Sequence, residues 1–310
     1  MKHMKIAFVG VGSIAKRHLG NVWEYLQGNC TIDVYRSSDR PLPEEIRKMI
    51  ARQLPLSGPV EDHYDAVFIT NPTSAHYDSV KKFAPYTGAF FIEKPVFDHT
   101  EYDLTAIEDF SEKICYVACP LRYNPVLQYV KQNIPCEDAY AVRAISSSYL
   151  PDWRPGQDYR TCYSAHKDMG GGVSIDLIHE WDYLFHLFGT PKQVKSIIDQ
   201  VSRLEIHSDD IAVYIAKTEK TVIELHLDYF GKKSIRQLQI FLPEDIITCD
   251  ILAGTVHYAV SGETIQLNGE RNAYQMAEIA HFFEIQSGKI ESDNDVQNAV
   301  NVLGCAMGTF

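Results

Sequence analysis

Residues 5–20 read KIAFVGVGSIAKRHLG, and this stretch decides the fold of the first part of the chain. The run at residues 6–9 is typical of a parallel strand covered on both faces, because such strands lose the alternation of half-exposed ones. Gly10, Gly12 and Ala15 follow it in the spacing G-x-G-x-x-[G/A]. In that pattern the first glycine turns the chain, the second lets a pyrophosphate approach the backbone, and the third position packs a helix on the strand.

A helix that begins near Ser13 would direct its free N–H groups and the positive end of its dipole towards this turn. The turn therefore predicts a dinucleotide site to which Gly10, Gly12, Ser13 and Ile14 contribute. Glycine-rich turns between a strand and a helix also occur without a ligand, so the pattern alone is weak. Its position directly after a first strand favours the dinucleotide.

The length of 310 residues predicts two domains, and 45% hydrophobic with 23% charged residues is typical of a soluble globular protein. Lysine and arginine number 29 against 41 aspartate and glutamate, which gives a net charge of −12. Nucleic-acid binding requires clustered positive charge, so this balance argues against a nucleic-acid partner.

The seven cysteines are scattered and form no C-x-x-C pair, so neither a disulfide framework nor a metal site is expected. The first residues contain no apolar signal core, and no run approaches eighteen apolar residues. We therefore expect a cytoplasmic protein that does not enter a membrane.

The second predicted strand, residues 31–36, ends where a dinucleotide fold meets the adenosine ribose. An acidic residue there is the usual mark of NAD, but this chain has Arg36 and Ser37. A guanidinium with a hydroxyl suits a 2′-phosphate, so NADP(H) is favoured and NAD(H) remains possible. The alternative is that Arg36 and Arg40 are ordinary solvated loop residues.

Residues 41–61 carry four prolines, and only a helix over residues 44–53 is predicted there. A buried strand follows at residues 66–70, and Asn71, Thr73 and His76 come directly after it. These three are candidates for contacts with the nicotinamide ribose or the phosphates. The alternative is that they only end the strand and cap the next helix.

The strand predicted at residues 89–92 ends in Glu93, Lys94 and Pro95. A lysine at the carboxyl edge of a parallel sheet lies where ligands of open α/β folds bind. Glu93 and Lys94 are therefore further candidate cofactor contacts. A last strand at residues 114–119 closes this domain.

After a boundary near residue 120, short strand-like segments follow one another. Residues 221–229 alternate between apolar and polar side chains, as in a sheet with one solvated face. The pattern predicts an antiparallel sheet backed by helices. The segments are residues 140–149, 193–203, 211–217, 221–229, 234–242, 246–251 and 255–260, with closing helices at residues 274–286 and 296–307.

Residues 151–172 have no regular apolar period, and a loop of this length inside a compact domain is usually functional or disordered; its aromatic residues argue against disorder. Three glycines lead from it into a predicted helix. This helix contains Asp176, His179 and Asp182, and a turn of about 100° per residue places Asp176, His179 and Tyr183 on one face. The alternative is a solvated stripe on an amphipathic helix.

Four motifs, GVGSIA, ITNPTSAH, EKP and GGGVSIDLIHEWD, together resemble the Gfo/Idh/MocA family of oxidoreductases. The resemblance implies an α/β architecture, with a parallel-sheet Rossmann domain at residues 1–120 and an α+β domain with a large, mostly antiparallel sheet at residues 121–310. It also implies an NAD(P) cofactor and sugar, cyclitol or related polyol substrates. Lys94 inherits the family's active-site position near the reacting hydroxyl.

Oxidation of an alcohol by hydride loss requires an acceptor for the hydroxyl proton, and histidine is suited to that role. His179 is the predicted acceptor, Asp176 would orient it or bind a neighbouring hydroxyl, and Lys94 would stabilise the oxygen or share the proton transfer. Many family members resemble D-x-x-x-H, whereas Asp176 and His179 are one residue closer. Asp182 or Tyr183 therefore remains an alternative.

The loop at residues 151–172 concentrates basic and aromatic side chains in an acidic protein, which predicts an anionic sugar, above all a nucleotide sugar. The alternative is a loop packed by its own aromatic residues with solvated cations. The candidate substrate contacts are Arg122, Tyr123, Trp153, Arg154, Tyr159, Arg160 and Lys167.

Two other functions fit the same residues: a non-catalytic NADP(H)-binding sensor or partner protein, and a sugar lyase or hydrolase that uses the cofactor transiently. The second face of the predicted antiparallel sheet would be poorly covered by helices from this chain. We therefore expect a homodimer or a homotetramer.

Overall fold

The computed structural model describes residues 2–310, apart from the side chain of Arg271. It contains two compact units. The first runs to Pro120 and resumes over Asn272–Val300, whereas the second comprises Leu121–Arg271 and Asn301–Phe310. The predicted boundary near residue 120 agrees with the first division. The assignment of all of residues 121–310 to one domain differs from the structure, because Asn272–Val300 packs within the first unit.

Eight α-helices occur among the described residues. In chain order they are α1 (Ser13–Tyr25), α2 (Glu44–Arg47), α3 (His76–Phe83), α4 (Pro125–Asn133), α5 (Val173–Asp176), α6 (His179–Phe188), α7 (Arg271–Gln286) and α8 (Val296–Met307). None of the helices in the described part of the chain is long and apolar enough to cross a membrane.

The first unit is built on a six-stranded sheet in the order β3-β2-β1-β4-β5-β6. All its neighbouring strands pair in parallel, which confirms the predicted Rossmann architecture. Its strands are β1 (Met4–Val9), β2 (Cys30–Arg36), β3 (Arg52–Pro55), β4 (Ala66–Ile69), β5 (Ala89–Ile92) and β6 (Ile114–Val117).

The edge strand β3 was not predicted. The helix expected over residues 44–53 ends at Arg47, and Arg52 pairs with Asp33 of β2 instead. The Arg52 guanidinium donates to the fully buried Asp33 carboxylate at 3.1 and 2.6 Å. Because a long-range ion pair anchors this four-residue strand, the local apolar pattern gave no signal for it.

Aromatic packing from a distant part of the chain covers one face of the parallel sheet. Phe8, Phe68 and Phe91 stack along adjacent strands with ring centroids 4.6 and 4.8 Å apart. Phe282 of α7 packs edge-on against Phe68 and Phe91 at 5.4 Å. The first unit therefore depends on α7 to complete its core.

The second unit contains an eight-stranded sheet in the order β14-β13-β12-β11-β7-β10-β9-β8. One pair, β7 with β10, is parallel and the others are antiparallel, which confirms the predicted mostly antiparallel sheet. The strands are β7 (Ala141–Tyr149), β8 (Gln193–Asp199), β9 (Ile211–Lys217), β10 (Val222–Asp228), β11 (Phe230–Phe241), β12 (Ile246–Asp250), β13 (Thr255–Tyr258) and β14 (Thr264–Gln266).

The alternation predicted for residues 221–229 is present in β10. Ile223, Leu225 and Leu227 are buried, and they belong to the same core as Trp181 and Leu184 of α6. Two features of this sheet were not predicted, the short edge strand β14 and the register break in β11 between Phe230 and Ile235.

Candidate functional site

The glycine turn after β1 is fixed by the loop after β4. Gly10 has φ +86°, and a Cβ at this position would lie 2.6 Å from the Cα of Asn71. The Thr70 hydroxyl donates to the Gly10 carbonyl at 2.9 Å. Because strand order reverses between β1 and β4, this contact lies at the switch point where open α/β sheets bind ligands.

Gly12 differs from Gly10, since the protein itself does not require a glycine there. It precedes α1 with φ −82°, and no side-chain hydrogen bond caps the start of this helix. A Cβ at this position would meet no atom within 4 Å. The first N–H groups of a helix have no partner inside the helix. Open space beside these donors fits the phosphates of a dinucleotide.

Two buried polar atoms lack a hydrogen-bond partner near the ends of β2 and β4. They are Nη1 of Arg36 and Oδ1 of Asn71, whereas the Asn71 amide nitrogen donates to the Ser79 hydroxyl at 2.8 Å. Because a buried polar atom without a partner is unfavourable, these atoms indicate where ligand groups would bind. Ser37 is exposed beside Arg36.

His76 is occupied within the protein. Its Nδ1 lies 3.1 Å from the carbonyl oxygen of Val96, its Nε2 lies 2.9 Å from that of Asn71, and burial lowers its pKa. His76 was predicted as a candidate cofactor contact, and in this structure its two ring nitrogens link two loops. Thr73 begins a half-buried turn before α3.

Glu93 faces the protein interior after β5. The nearly fully buried His18 lies 2.5 Å from its carboxylate, and the backbone N–H of Lys94 donates to the same group at 3.1 Å. Burial opposes the charged form, but His18 outweighs it and holds the pKa of Glu93 below its usual value. The carboxylate thus fixes the turn that presents the half-buried Lys94, and the Lys94–Pro95 peptide is cis.

In the second unit, the glycine run packs against neighbouring backbone and side chains. A Cβ on Gly171 would lie 2.0 Å from the Tyr163 carbonyl oxygen, and one on Gly172, which has φ +131°, would lie 2.3 Å from Asp209. Asp209 accepts a hydrogen bond from the Ser174 backbone N–H at 2.9 Å. These glycines therefore hold residues 151–172 close to the start of α5.

The single helix predicted after the glycines is wrong, because α5 ends at Asp176 and α6 begins at His179. Asp176 therefore does not share a helix with His179 and Tyr183. Asp176 accepts a hydrogen bond from the Tyr229 hydroxyl at 2.6 Å. Tyr183 is fully buried, and burial together with Glu180 raises its pKa well above the usual value.

His179 contacts a residue that the sequence reasoning missed, Arg236 of β11. Nη2 of Arg236 lies 2.8 Å from Nε2 of His179, and Nε of Arg236 lies 2.8 Å from the fully buried Glu180 carboxylate. The sequence shows Arg236 as a basic residue within the predicted strand at residues 234–242. Its partner on α6 could not be identified without the fold.

Asp182 and Arg122 form a buried ion pair. The guanidinium donates twice to the carboxylate, at 2.8 and 2.7 Å, and both side chains are less than 9% exposed. Asp182 was considered as an alternative proton-transfer residue and Arg122 as a substrate contact. Each is instead held by the other.

The basic charge predicted for residues 151–172 is partly neutralised. Arg160 forms ion pairs with Asp158 at 2.9 Å and with Glu205 at 2.6 Å. The Arg154 guanidinium lies 5.5 Å from the centre of the Tyr163 ring, and Lys167 is exposed. This segment contains short 3₁₀ turns.

The aromatic candidates also have protein contacts. The Trp153 indole donates to the Ser148 hydroxyl at 2.9 Å, and Trp153 and Tyr159 pack against the core of the second unit. Tyr123 is half-buried. The described residues contain no group of three or more His, Cys, Asp or Glu that could hold a metal ion.

Comparison with known proteins agrees with this geometry. Residues 4–117 match the family model described as "Oxidoreductase family, NAD-binding Rossmann fold". This match agrees with the predicted resemblance to the Gfo/Idh/MocA family. A curated relative, scyllo-inositol 2-dehydrogenase (NAD(+)) of Bacillus subtilis (strain 168), is 28% identical over 201 residues, or 61% of this chain. That match spans only 55% of the relative's own length.

Two solved structures share this fold over nearly the whole chain. UDP-N-acetylglucosamine 3-dehydrogenase GnnA from Acidithiobacillus ferrooxidans is 20% identical with a TM-score of 0.78, covering 100% of this chain and 97% of its own. Levoglucosan dehydrogenase in complex with NADH is 14% identical with a TM-score of 0.82, covering 99% and 96%. The predicted fold is confirmed.

Proposed function

We propose that this chain is an NADP(H)-dependent oxidoreductase that transfers a hydride to or from a hydroxyl- or keto-bearing carbon of a sugar. The carboxyl edge of the six-stranded sheet carries the proposal, because Gly12 leaves open space at the start of α1 and Arg36 keeps a buried donor without a partner. Both features fit a dinucleotide at a Gfo/Idh/MocA nucleotide site.

When bound, the nicotinamide supplies or accepts the hydride. Gly12 and the N–H groups that begin α1 would hold the pyrophosphate, while Arg36 and Ser37 would hold the 2′-phosphate. Lys94 would bind the reacting oxygen. His179 and Lys94 are the two candidates to exchange the hydroxyl proton.

Preference for NADPH over NADH tests the cofactor assignment. We expect Arg36→Ala to weaken NADPH binding by about 10- to 100-fold, since a charge-assisted hydrogen bond contributes about 1.5–3 kcal/mol. NADH binding should change little. Arg40→Ala is the matched control, because Arg40 is exposed and four residues away. Tighter binding of NADH by the wild-type protein, or equal NADPH affinity in both variants, would contradict the assignment.

Nucleotide sugars are the proposed substrate class. One solved structure with this fold is a UDP-N-acetylglucosamine 3-dehydrogenase. Arg154 and Lys167 are the predicted basic contacts that form no salt bridge with another described residue. The test compares turnover of matched neutral and nucleotide-linked sugars by the wild-type protein, Arg154→Ala and Lys167→Ala. Equal preference in all three would remove the nucleotide from the proposal.

Anaerobic spectroscopy of NADPH and NADP with that panel tests the reaction itself. Lys94→Ala and His179→Ala should each bind cofactor but lose about 10²–10⁴-fold in turnover, as is typical of proton-transfer residues. Near-normal single-turnover rates in both variants would exclude them from the chemistry. Product formation without net change in the cofactor would favour a lyase or hydrolase. Cofactor binding without any turnover would favour a sensor.

We also propose a homodimer or homotetramer that associates through the outer face of the eight-stranded sheet. Ile197 of β8 and Ile215 of β9 lie on that face, where 69% and 58% of their surfaces are exposed. Exposed apolar area of this kind favours association. Light scattering at micromolar concentration should show an oligomer that Ile215→Lys weakens, and a monomeric wild-type protein would contradict it.

A further inference from the structure

The contact between Arg236 and His179 restricts where the imidazole carries its proton. Nη2 of Arg236 lies 2.8 Å from Nε2 of His179. A guanidinium has only donors and stays protonated in proteins, so Nε2 must accept this hydrogen bond. An imidazole whose Nε2 accepts carries its single proton on Nδ1.

We propose that Arg236 is a positioning residue that fixes His179 as the Nδ1-protonated tautomer. A competing contact exists, because Oε1 of Glu180 lies 3.3 Å from the same Nε2 and would favour a proton there. The two shorter distances both belong to Arg236, at 2.8 Å to Nε2 and 2.8 Å to the Glu180 oxygen. The carboxylate therefore anchors the guanidinium, and the guanidinium orients the ring.

The neighbouring titratable groups keep one charge state near neutral pH. Burial opposes ionisation of Glu180, but Arg236 and His179 outweigh it and hold the pKa of this carboxyl below its usual value. Burial raises the pKa of the Tyr183 phenol well above 10 and that of the Cys249 thiol on β12 to about 12.

The remaining acidic groups on these helices face other partners. Asp176 on α5 accepts from Tyr229, and Asp182 on α6 accepts from Arg122. Within this cluster, then, His179 is the group with two alternative positions for its proton. Arg236 is the permanent cation that selects the position of that proton.

The chemical consequence rests on the proposed role of His179 in catalysis. While Arg236 donates to Nε2, that nitrogen is not available to take a proton from a substrate hydroxyl. Nε2 could accept a proton only after its hydrogen bond with the Arg236 guanidinium is broken. Lys94 is therefore the better candidate for the proton acceptor, and loss of Arg236 should affect kcat more than KM.

NMR of the full chain labelled with ¹⁵N-histidine tests the tautomer without any substrate. His179→Asn identifies the signals of His179 by their loss. Near neutral pH, the wild-type protein should show a bonded proton on Nδ1 and none on Nε2. A bonded proton on Nε2 in the wild-type protein would overturn the proposal.

Two variants test whether Arg236 is the cause. In Arg236→Met the proton should move to Nε2, because the Glu180 carboxylate becomes its nearest acceptor, whereas Arg236→Lys keeps a donor and should keep the proton on Nδ1. An unchanged Nδ1 proton in Arg236→Met would overturn the proposal. If the buried carboxylate left unpaired prevents Arg236→Met from folding, the wild-type and Arg236→Lys spectra decide the question.

Kinetics separate this inference from the proposed function. Misplacement of a catalytic group by about 1 Å can reduce turnover about 10²-fold, and Arg236→Met should show a loss of that order, recovered in part by Arg236→Lys. Full turnover by His179→Asn would refute the catalytic role of His179 and leave the tautomer to be decided by NMR. A proton on Nε2 would refute the tautomer and leave the catalytic role standing.

Discussion

The carboxyl edge of the parallel sheet in the first unit and the α5–α6 segment of the second differ in the protein contacts of their polar side chains. At the carboxyl edge, buried polar atoms of Arg36 and Asn71 have no protein partner, and Gly12 faces open space. Along α5 and α6, the ionisable side chains lie against protein groups, although the Glu180 oxygens and the Tyr183 hydroxyl make no hydrogen bond. The pairs are Asp176 with Tyr229, His179 and Glu180 with Arg236, and Asp182 with Arg122.

The polar atoms of the first region need a ligand to satisfy them, whereas the side chains of the second already lie against protein groups. A buried polar atom without a partner is unfavourable by about 1–3 kcal/mol, so a ligand that satisfies Arg36 and Asn71 should also stabilise the first unit. In the α5–α6 segment, Arg122 and Arg236 of the protein already supply the charges opposite Asp182 and Glu180. Substitutions there should therefore affect stability or geometry even without substrate.

Breaking the ion pair between Arg122 and Asp182 should have the largest effect on stability. Arg122→Ala leaves a buried carboxylate unpaired, and we expect a loss of about 3–5 kcal/mol in the free energy of unfolding, measured by urea denaturation. The control is Arg143→Ala, whose pair with Glu224 is exposed and should contribute about 0–1 kcal/mol. Equal losses in both variants would contradict the distinction between buried and exposed pairs.

A smaller effect should separate the two glycines of the turn. In Gly10→Ala the new Cβ would meet the Asn71 backbone at a positive φ, and we expect a loss of about 1–3 kcal/mol in unfolding free energy. Gly12→Ala should change stability by no more than about 0.5 kcal/mol, because no atom lies near its Cβ.

The same pair of variants tests the dinucleotide site by calorimetry. Gly12→Ala should still weaken dinucleotide binding, since its methyl group would occupy the space assigned to the pyrophosphate. If Gly12→Ala bound the dinucleotide as tightly as the wild-type protein, the phosphate assignment would fail.

The smallest effect is expected from acid. The pKa of Glu180 is lowered in the folded protein, so its contribution to stability is present above the unfolded-state pKa of about 4.3 and is lost as pH falls through the folded pKa. Glu180→Gln should therefore lose less stability than the wild-type protein between pH 7 and pH 3, by about 1.4 kcal/mol for each unit of pKa shift.

Glu93→Gln gives the corresponding measurement in the first unit, because the pKa of Glu93 is also lowered. Both proteins should be followed by urea denaturation across the pH series. A wild-type curve that coincides with that of either variant would show that the carboxylate in question does not contribute to the acid sensitivity.

Local pattern was enough to predict most of the fold. The glycine spacing after β1 and the alternation of β10 each depend on neighbours in sequence, and β5, β9 and α8 have the predicted bounds. The strand β3 and the break between α5 and α6 were not predictable in this way. The strand β3 depends on the contact between Arg52 and Asp33, which lie 19 residues apart. The break between α5 and α6 is not marked by a proline or glycine.

The sequence was enough to name candidate site residues, but not to name the residues that they contact. Lys94, Arg36 and His179 were identified from motifs, but Arg236, which contacts His179, belongs to a distant strand. Nothing near His179 in sequence points to Arg236 on β11, and the spacing of Arg122 and Asp182 does not suggest a pair. Long-range ion pairs are set by the tertiary fold, so one sequence does not specify which charges meet.

The discontinuity of the first unit affects the order in which the chain can fold. Phe282 of α7 covers Phe68 and Phe91, yet about half of the chain lies between β6 and α7. At about 5–20 residues per second, translation of that half takes roughly 8–30 s. For this time the nascent parallel sheet lacks its aromatic cover. A truncated chain that ends before α7 would leave this sheet uncovered.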